Sequence, residues 1–535
     1  MKLRELTKEV KTQIETFTYE GIDEAIKLAE EHGTVEFFDK LLGELQLRCE
    51  RYNQNHVCTE AKFFNRGLQV KAQHFAYRAL IGLVNIACKG SKAYEFRNNT
   101  KEIVLYGHIW EGGITFGGNI DLKYISNFNS LTEIHISDVG SISNLDLINN
   151  FKNLKKLLIE GITGDWPIPF SLRNMPFISN KLLISPIKLE LPLLEELELR
   201  QIEDIDDLRF LAGSNNLRKI VIINCKINAL AGIPTSIEKL RYDDIKMQQP
   251  IKNSEFEHFR NLKKLNYLEI SSLNSDFSFL EDLTELVELN INCKAEKIII
   301  PDLSKQNKLR DIRIPEPTEN LDFLNKNQSI EMVSINNTKI TNIKGLGSCN
   351  KIKVITIDHC SKLTNLSGLE NCKELDIKLN NVGIENLDAL NKCIRLSKFG
   401  TRIIEDFDKS SFSSTEVETF SDGTNDLDYV IRKNTLYISG CNNLTVISGI
   451  KNATNLMGLS ITNCNKLKKI EGIESLKNIY EIDFSNCTEL EDISIIKNFP
   501  LLRRLNITGC KNLKVKNKQW IFESLNEVEE YKSTL

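Results

Sequence analysis

Residues 456–515 read LMGLSITNCNKLKKIEGIESLKNIYEIDFSNCTELEDISIIKNFPLLRRLNITGCKNLKV. One phrase occurs in this stretch three times: Leu456-x-x-Leu459-x-Ile461-x-x-Cys464, Ile479-x-x-Ile482-x-Phe484-x-x-Cys487 and Leu502-x-x-Leu505-x-Ile507-x-x-Cys510. The first residues are 456, 479 and 502, so both steps are 23 residues. The apolar residues at positions 4 and 6 alternate as one face of a short strand requires. One strand cannot bury that face alone, so successive copies must stack into a parallel sheet over a shared core. Position 9 falls where the chain leaves the strand, and a buried Cys or Asn there can serve the backbone groups of the turn. Positions 2, 3, 5, 7 and 8 are left to face outward.

The same spacing extends toward the amino terminus. It is found at Leu131/Ile134/Ile136, Leu154/Leu157/Ile159, Leu194/Leu197/Leu199, Leu217/Ile220/Ile222 and Ile237/Leu240/Tyr242. It continues at Leu265/Leu268/Ile270, Leu286/Leu289/Ile291, Leu309/Ile312/Ile314, Ile330/Val333/Ile335 and Ile352/Ile355/Ile357. Two places break the pattern. Residues 161–192 hold several prolines and Trp166, and the segment is expected to bulge from the array. Residues 399–435 are rich in Ser, Asp and Thr and are expected to hold one or two weak repeats, around Val417 and Leu436. The longer step from Ile237 to Leu265 predicts a helical outer connection through SEFEHFRNL.

Residues 1–95 read differently. Leu3, Leu6, Val10, Ile14 and Phe17 keep helical spacing, a second helix runs to Gly33, and Thr34 can cap a third. A further helical stretch is expected to open at Thr59. The organisation that follows is 1–95 a helical cap and docking or effector module, 96–514 about 18 repeats, and 515–535 a carboxy-terminal cap. Trp520, Ile521, Phe522 and Leu525 are the residues expected to cover the last repeat.

Charge and cysteine usage narrow the function. Lys and Arg number 69 against 73 Asp and Glu, and this near-balance predicts neither a nucleic-acid nor an anionic-membrane partner. No apolar run approaches the roughly 18–20 residues of a membrane span, and the charged amino terminus lacks the apolar core of a signal peptide. Of 13 cysteines, Cys225, Cys360, Cys441, Cys464, Cys487 and Cys510 share position 9, while Cys349, Cys372 and Cys393 share a second register. Such columns read as buried thiols in a reducing, cytoplasmic compartment.

The phrase resembles that of leucine-rich repeats, and the short 20–24-residue units resemble the phosphatase-regulator and internalin-type classes. The resemblance implies an α/β solenoid: a curved array with its parallel sheet on the concave face, preceded by an all-α region. It implies protein binding rather than catalysis. No phosphate loop, H-E-x-x-H or G-x-S-x-G motif occurs, and neither a cofactor nor a metal is expected. His135 and His359 are too far apart in the array to act together. Arg and Tyr are favoured interface anchors, and mixed charge suits a protein surface. The candidate protein-binding residues on the concave face are therefore Glu198, Arg200, Arg241, Asp243, Tyr267, Glu269, Arg310 and Arg313. Binding through the 161–192 segment or through residues 1–95 is the competing location. Two other functions are open. One is the sensor or specificity subunit of a multi-protein bacterial defence or toxin system; the other is an enzyme with its site near His56 and Cys58.

Overall fold

A computed structural model describes residues 2–16, 18–44, 46–48, 58–60, 70–111, 114–161, 182–183, 188–203, 205–246, 251–397, 431, 434–515 and 519–535. The chain forms two compact units, Met1–Leu265 with Ser271–Asn274, and Asn266–Ile270 with Ser275–Leu535.

The first unit opens with helices α1 (Leu3–Ile14), α2 (Tyr19–His32), α3 (Val35–Glu44), α4 (Val70–Asn85) and α5 (Lys92–Asn99). The stripe of α1 buries Leu6, Val10 and Ile14. Thr18 caps α2 by accepting the Gly21 N–H at 3.0 Å, and the Thr34 hydroxyl accepts the Phe37 N–H at the start of α3. Gly33 does close α2, but with φ −72° rather than a left-handed turn. Space is its reason, because a Cβ there would lie 2.3 Å from the Ala29 carbonyl and against Phe38. Thr59 opens no helix. It lies in a short antiparallel pair, Gln46–Arg48 with Cys58–Glu60.

Helices α2 and α4 pack on the turn at 119–127. The buried Asn85 side chain donates to the Lys123 carbonyl at 3.1 Å and accepts the Asn127 N–H at 2.8 Å. Asp23 accepts from the Tyr124 hydroxyl at 2.7 Å and pairs with Lys123. Six strands of the main ladder follow in this unit: β1 (Glu102–Tyr106), β2 (Glu133–Val139), β3 (Lys156–Gly161), β4 (Glu196–Arg200), β5 (Lys219–Ile223) and β6 (Lys239–Asp243). Each pairs in parallel with the next. Strand β3 pairs directly with β4, Lys156 opposite Glu196, so the array runs on across the expected bulge. Most of that 161–192 segment lies outside the described residues.

The second unit contains the Tyr267–Ile270 part of β7 (Tyr267–Ser272), followed by β8 (Glu288–Cys293), β9 (Asp311–Ile314), β10 (Met332–Asn336), β11 (Val354–Asp358) and β12 (Glu374–Asn380). Next come β13 (Arg395–Ser397), β14 (Thr435–Ser439), β15 (Gly458–Thr462), β16 (Glu481–Asp483), β17 (Arg504–Asn506) and β18 (Ile521–Phe522). Pairing from β8 to β12 is parallel and in register. Strand β12 then forks. Its Glu374–Asp376 end pairs with β13, and its Lys378–Asn380 end pairs with β14. Leu436 is thus a ladder residue as expected, while Val417 lies outside the described residues.

Inside each unit the phrase does what its spacing demands. Leu456, Leu459 and Ile461 are 0–1% exposed, as are their counterparts in the next two copies. Position 9 behaves as read from the sequence. The thiols of Cys225, Cys487 and Cys510 reach back to the carbonyls of Leu199, Ile461 and Phe484, one repeat earlier, at 3.0–3.3 Å. The second register does the same on the outer side. Cys349 donates to the Asn327 carbonyl, Asn327 to that of Leu303, and Gln306 to that of Leu280. Each of these buried donors therefore pairs with a backbone carbonyl of an earlier repeat.

Two recurrent devices were not anticipated. Position 8 adopts a left-handed backbone: Asp138, Gln201, Asn224, Asn337, His359, Asn381, Asn463 and Asn486 have φ between 51° and 61°, and Gly440 and Gly509 take the same position. On the outer side, Asx residues open short 3-10 turns by accepting the N–H two residues on, as Asp207, Asn320, Asn386 and Asp492 do. The expected helical outer connection is a 3-10 helix, Asn253–Asn261, with Phe256 and Phe259 buried. Tyr242 at position 6 brings a hydroxyl into the core, and buried Asp244 accepts from it and from the Ile251 N–H, both at 3.2 Å.

After β17 the chain continues in β18, antiparallel to it, and in helix α6 (Leu525–Lys532), capped by Ser524 and Glu527. Of the residues expected to cover the last repeat, Phe522 is buried and Ile521 and Leu525 are not. Phe522, Val528 and Tyr531 are buried, with the Phe522 and Tyr531 rings stacked at 4.7 Å, whereas Ile521 is 53% and Leu525 46% exposed. Pairing with β17 turns alternate side chains of β18 to opposite faces, so only one of Ile521 and Phe522 can point inward.

Candidate functional site

Seven of the eight candidate residues lie at alternating positions of the strands, and each unit presents its own set. In the first unit Glu198 and Arg200 sit two residues apart on β4, hence on one face, and form an ion pair. On the neighbouring strand Lys219 pairs with Glu196 at 3.2 Å. Arg241 is exposed at the centre of β6, in register with Val221. Asp243 is partly committed to its own turn, accepting the Ile245 N–H at 3.2 Å.

In the second unit Tyr267 and Glu269 repeat the two-residue logic, the Tyr267 hydroxyl donating to Glu269 at 2.8 Å. Arg310 stands one residue ahead of β9 and lies 3.8 Å from Glu331, which Lys353 also holds at 2.8 Å. Arg313 is exposed on β9. Beside it stands Asp311, absent from the candidate set. Its carboxyl is half-buried and in register with Glu288, and burial pushes it up to about 6, partly offset by Arg313. Of the two histidines, His135 lies on β2. His359 is a left-handed turn residue, held by Asp358 at 2.6 Å and Asn381 at 3.1 Å, and not part of the flat strand face.

Asp311 yields a pH prediction. A carboxyl raised in the folded state costs stability above about 6, where it must be charged, and nothing below its ordinary value of 3.8, where it is protonated folded or unfolded. Asp311→Asn should therefore raise stability by about 1 kcal/mol at pH 7.5, discounted for partial exposure, and leave it unchanged near pH 4. Urea melts at the two pH values measure this.

The sequence reading also missed a hollow on the second unit's sheet, lined by Thr435, Tyr437, Ser460, Glu481, Asp483 and Arg504, of about 370 Å³. Gly458 and Ser460, small residues in columns filled by larger ones, were the available signal. Among the described residues no group of three His, Cys, Asp or Glu side chains could hold a metal ion. No helix among them is long and apolar enough to cross a membrane. His56 lies outside the described residues.

A family model of the leucine-rich-repeat domain of the endo-beta-N-acetylglucosaminidase EndoS matches residues 319–423. What it describes is the repeat domain of that enzyme. No curated protein matches the sequence. Solved structures similar to the chain include an internalin (inlF) from Listeria monocytogenes, 14% identical over 76% of this chain and 87% of that one, with a TM-score of 0.38. The functional domain of InlJ from the same organism, described as including a cysteine ladder, is 12% identical over 76% and 72%, at 0.41. A leucine-rich-repeat protein of Leptospira interrogans is 15% identical over 83% and 96%, at 0.36. A phrase that recurs every 20-odd residues, a parallel ladder built from each recurrence, and a repeat-domain match within it lead to one conclusion: the chain is built of leucine-rich repeats in an α/β solenoid fold preceded by helices.

Proposed function

We propose that this protein is a non-catalytic scaffold that recognises a protein partner through the outward strand positions of its sheets. The observation that carries the reading is the state of those positions. Arg200 is already held by the Glu198 carboxylate on a strand fixed by parallel pairing on both sides, and the Tyr267 hydroxyl is held by Glu269. Anchors that are ordered before contact lose little conformational freedom on binding. The signs alternate along the face, which suits a protein surface better than a phosphate backbone. In this reading residues 1–95 cap the array and provide a second docking module, 96–514 form the recognition array, and 515–535 close it. Eleven of the described cysteines are free, ten of them buried, which supports a cytoplasmic setting.

The test is capture from a lysate, read by mass spectrometry, with full-length protein and with Arg241→Glu and Arg313→Glu made singly and together. A specific partner should be retained by wild type and weakened at least about tenfold by a charge reversal at an interface anchor. A partner indifferent to both reversals and lost with residues 1–95 would move recognition to the helices.

A further inference from the structure

The hollow on β14–β17 has a composition that names its ligand. Register places Thr435, Gly458, Glu481 and Arg504 in one row across four adjacent strands, and Tyr437, Ser460, Asp483 and Asn506 in the next. Strand β15 thus contributes only a glycine and a serine to these two rows, while its neighbours contribute a ring on one side and two carboxylates on the other. With strands about 4.8 Å apart, the walls rise from backbones about 10 Å from each other. The hollow of about 370 Å³ lies over the short Ser460 side chain, between these walls. Gly458 cannot be refilled cheaply, since a Cβ there would lie 2.2 Å from the Thr435 hydroxyl.

We infer that this trough receives an arginine side chain of a protein partner, a proposal that rests on the protein-recognition reading above. An aromatic face attracts a cation, and Arg favours such contacts because its plane stacks as well as its charge. Opposite the ring, Glu481 and Asp483 supply the acceptors. Asp483 gives one oxygen to the Ser485 N–H at 2.9 Å, and a carboxylate has capacity for further donors. Arg504 lies 3.9 Å from Glu481, so one of the two wall charges is partly matched and the other remains to attract a cation. The slot between ring and acids suits a flat fork with a narrow stem better than a compact ammonium.

The experiment is calorimetric titration of the full-length protein with an acetylated Gly-Arg-Gly amide, its Lys and citrulline counterparts, and free L-arginine. The Arg peptide should bind at least about tenfold more tightly than the citrulline peptide, which keeps the shape and loses the charge. Ser460→Leu, which fills the trough from an outward position, should abolish binding. Asp483→Asn and Tyr437→Ala should each weaken it about tenfold. Thermal melts matching wild type would show the variants folded. Equal binding of citrulline, or full binding by folded Ser460→Leu, would overturn the proposal. Free L-arginine binding as tightly as the peptide would also overturn it, by making the ligand a small molecule. If no probe binds while Arg241→Glu or Arg313→Glu still costs the captured partner, this assignment fails and the recognition reading stands.

Discussion

Phe484→Ala should lower the stability of the second unit by about 3–5 kcal/mol, at the upper end of what truncating one buried side chain costs. The side chain is fully buried, at position 6 of its repeat, where the copies on either side carry Ile461 and Ile507. Those smaller residues cannot expand into the space an aromatic ring leaves, and their strands are pinned on both sides by β16 pairing with β15 and β17. The cavity would persist. Backbone bonds would survive, because the Phe484 N–H donates to Asn506 at 2.8 Å and its carbonyl accepts the Cys510 thiol whatever the side chain. The loss is therefore one of packing. In a repeat array each unit touches its neighbours only, so the effect should be local. Hydrogen exchange should speed up most in residues 459–507 and little near β9. Uniform acceleration across the unit would mean that the repeats do not share stability by nearest-neighbour contact.

Gly368→Ala should cost about 3 kcal/mol for two separable reasons. Its φ is +122°, outside what an L side chain adopts readily, and a Cβ would lie 2.2 Å from the Ile343 carbonyl oxygen. That oxygen belongs to the preceding repeat's backbone and has no rotamer by which to retreat. Gly472 separates the two causes. It has φ +69° with nothing within 4 Å of a Cβ, so Gly472→Ala carries only the conformational strain, about 1 kcal/mol. Chemical denaturation of both variants checks the ranking. Equal losses would mean that close stacking of repeats at Gly368 contributes nothing, contrary to the geometry.

The residues that are legible from sequence are those whose role is set by period. Leu456, Leu459 and Ile461 are core because a two-residue alternation inside a 23-residue repeat leaves them no other place. Cys464, Cys487 and Cys510 are buried for the same reason. Position 8 does not belong to the outward face where the period puts it, and its wording (Asn224, Asn337, Asn381, Gly440, Asn463, Asn486, Gly509) is that of a left-handed turn. The trough is harder to see. Its character lies in what Gly458 and Ser460 omit, and an omission becomes a site only when the walls at Tyr437 and Asp483 are known to adjoin it. Pairing of β12 with β14 is not legible at all, because no local pattern tells a strand near residue 380 that its neighbour lies near 439. The same limit applies to Asp311, whose raised carboxyl comes from stacking and not from its neighbours in sequence.

Hydroxyl-radical footprinting of the full-length protein, alone and with its captured partner, tests sheet-face recognition most directly. Tyr267, Tyr437 and other outward strand side chains should lose reactivity in the complex, while exposed residues off the face, such as Ile299 and Leu501, keep theirs. Protection confined to the amino-terminal helices or to the outer turns, with Tyr267 and Tyr437 unchanged, would contradict it.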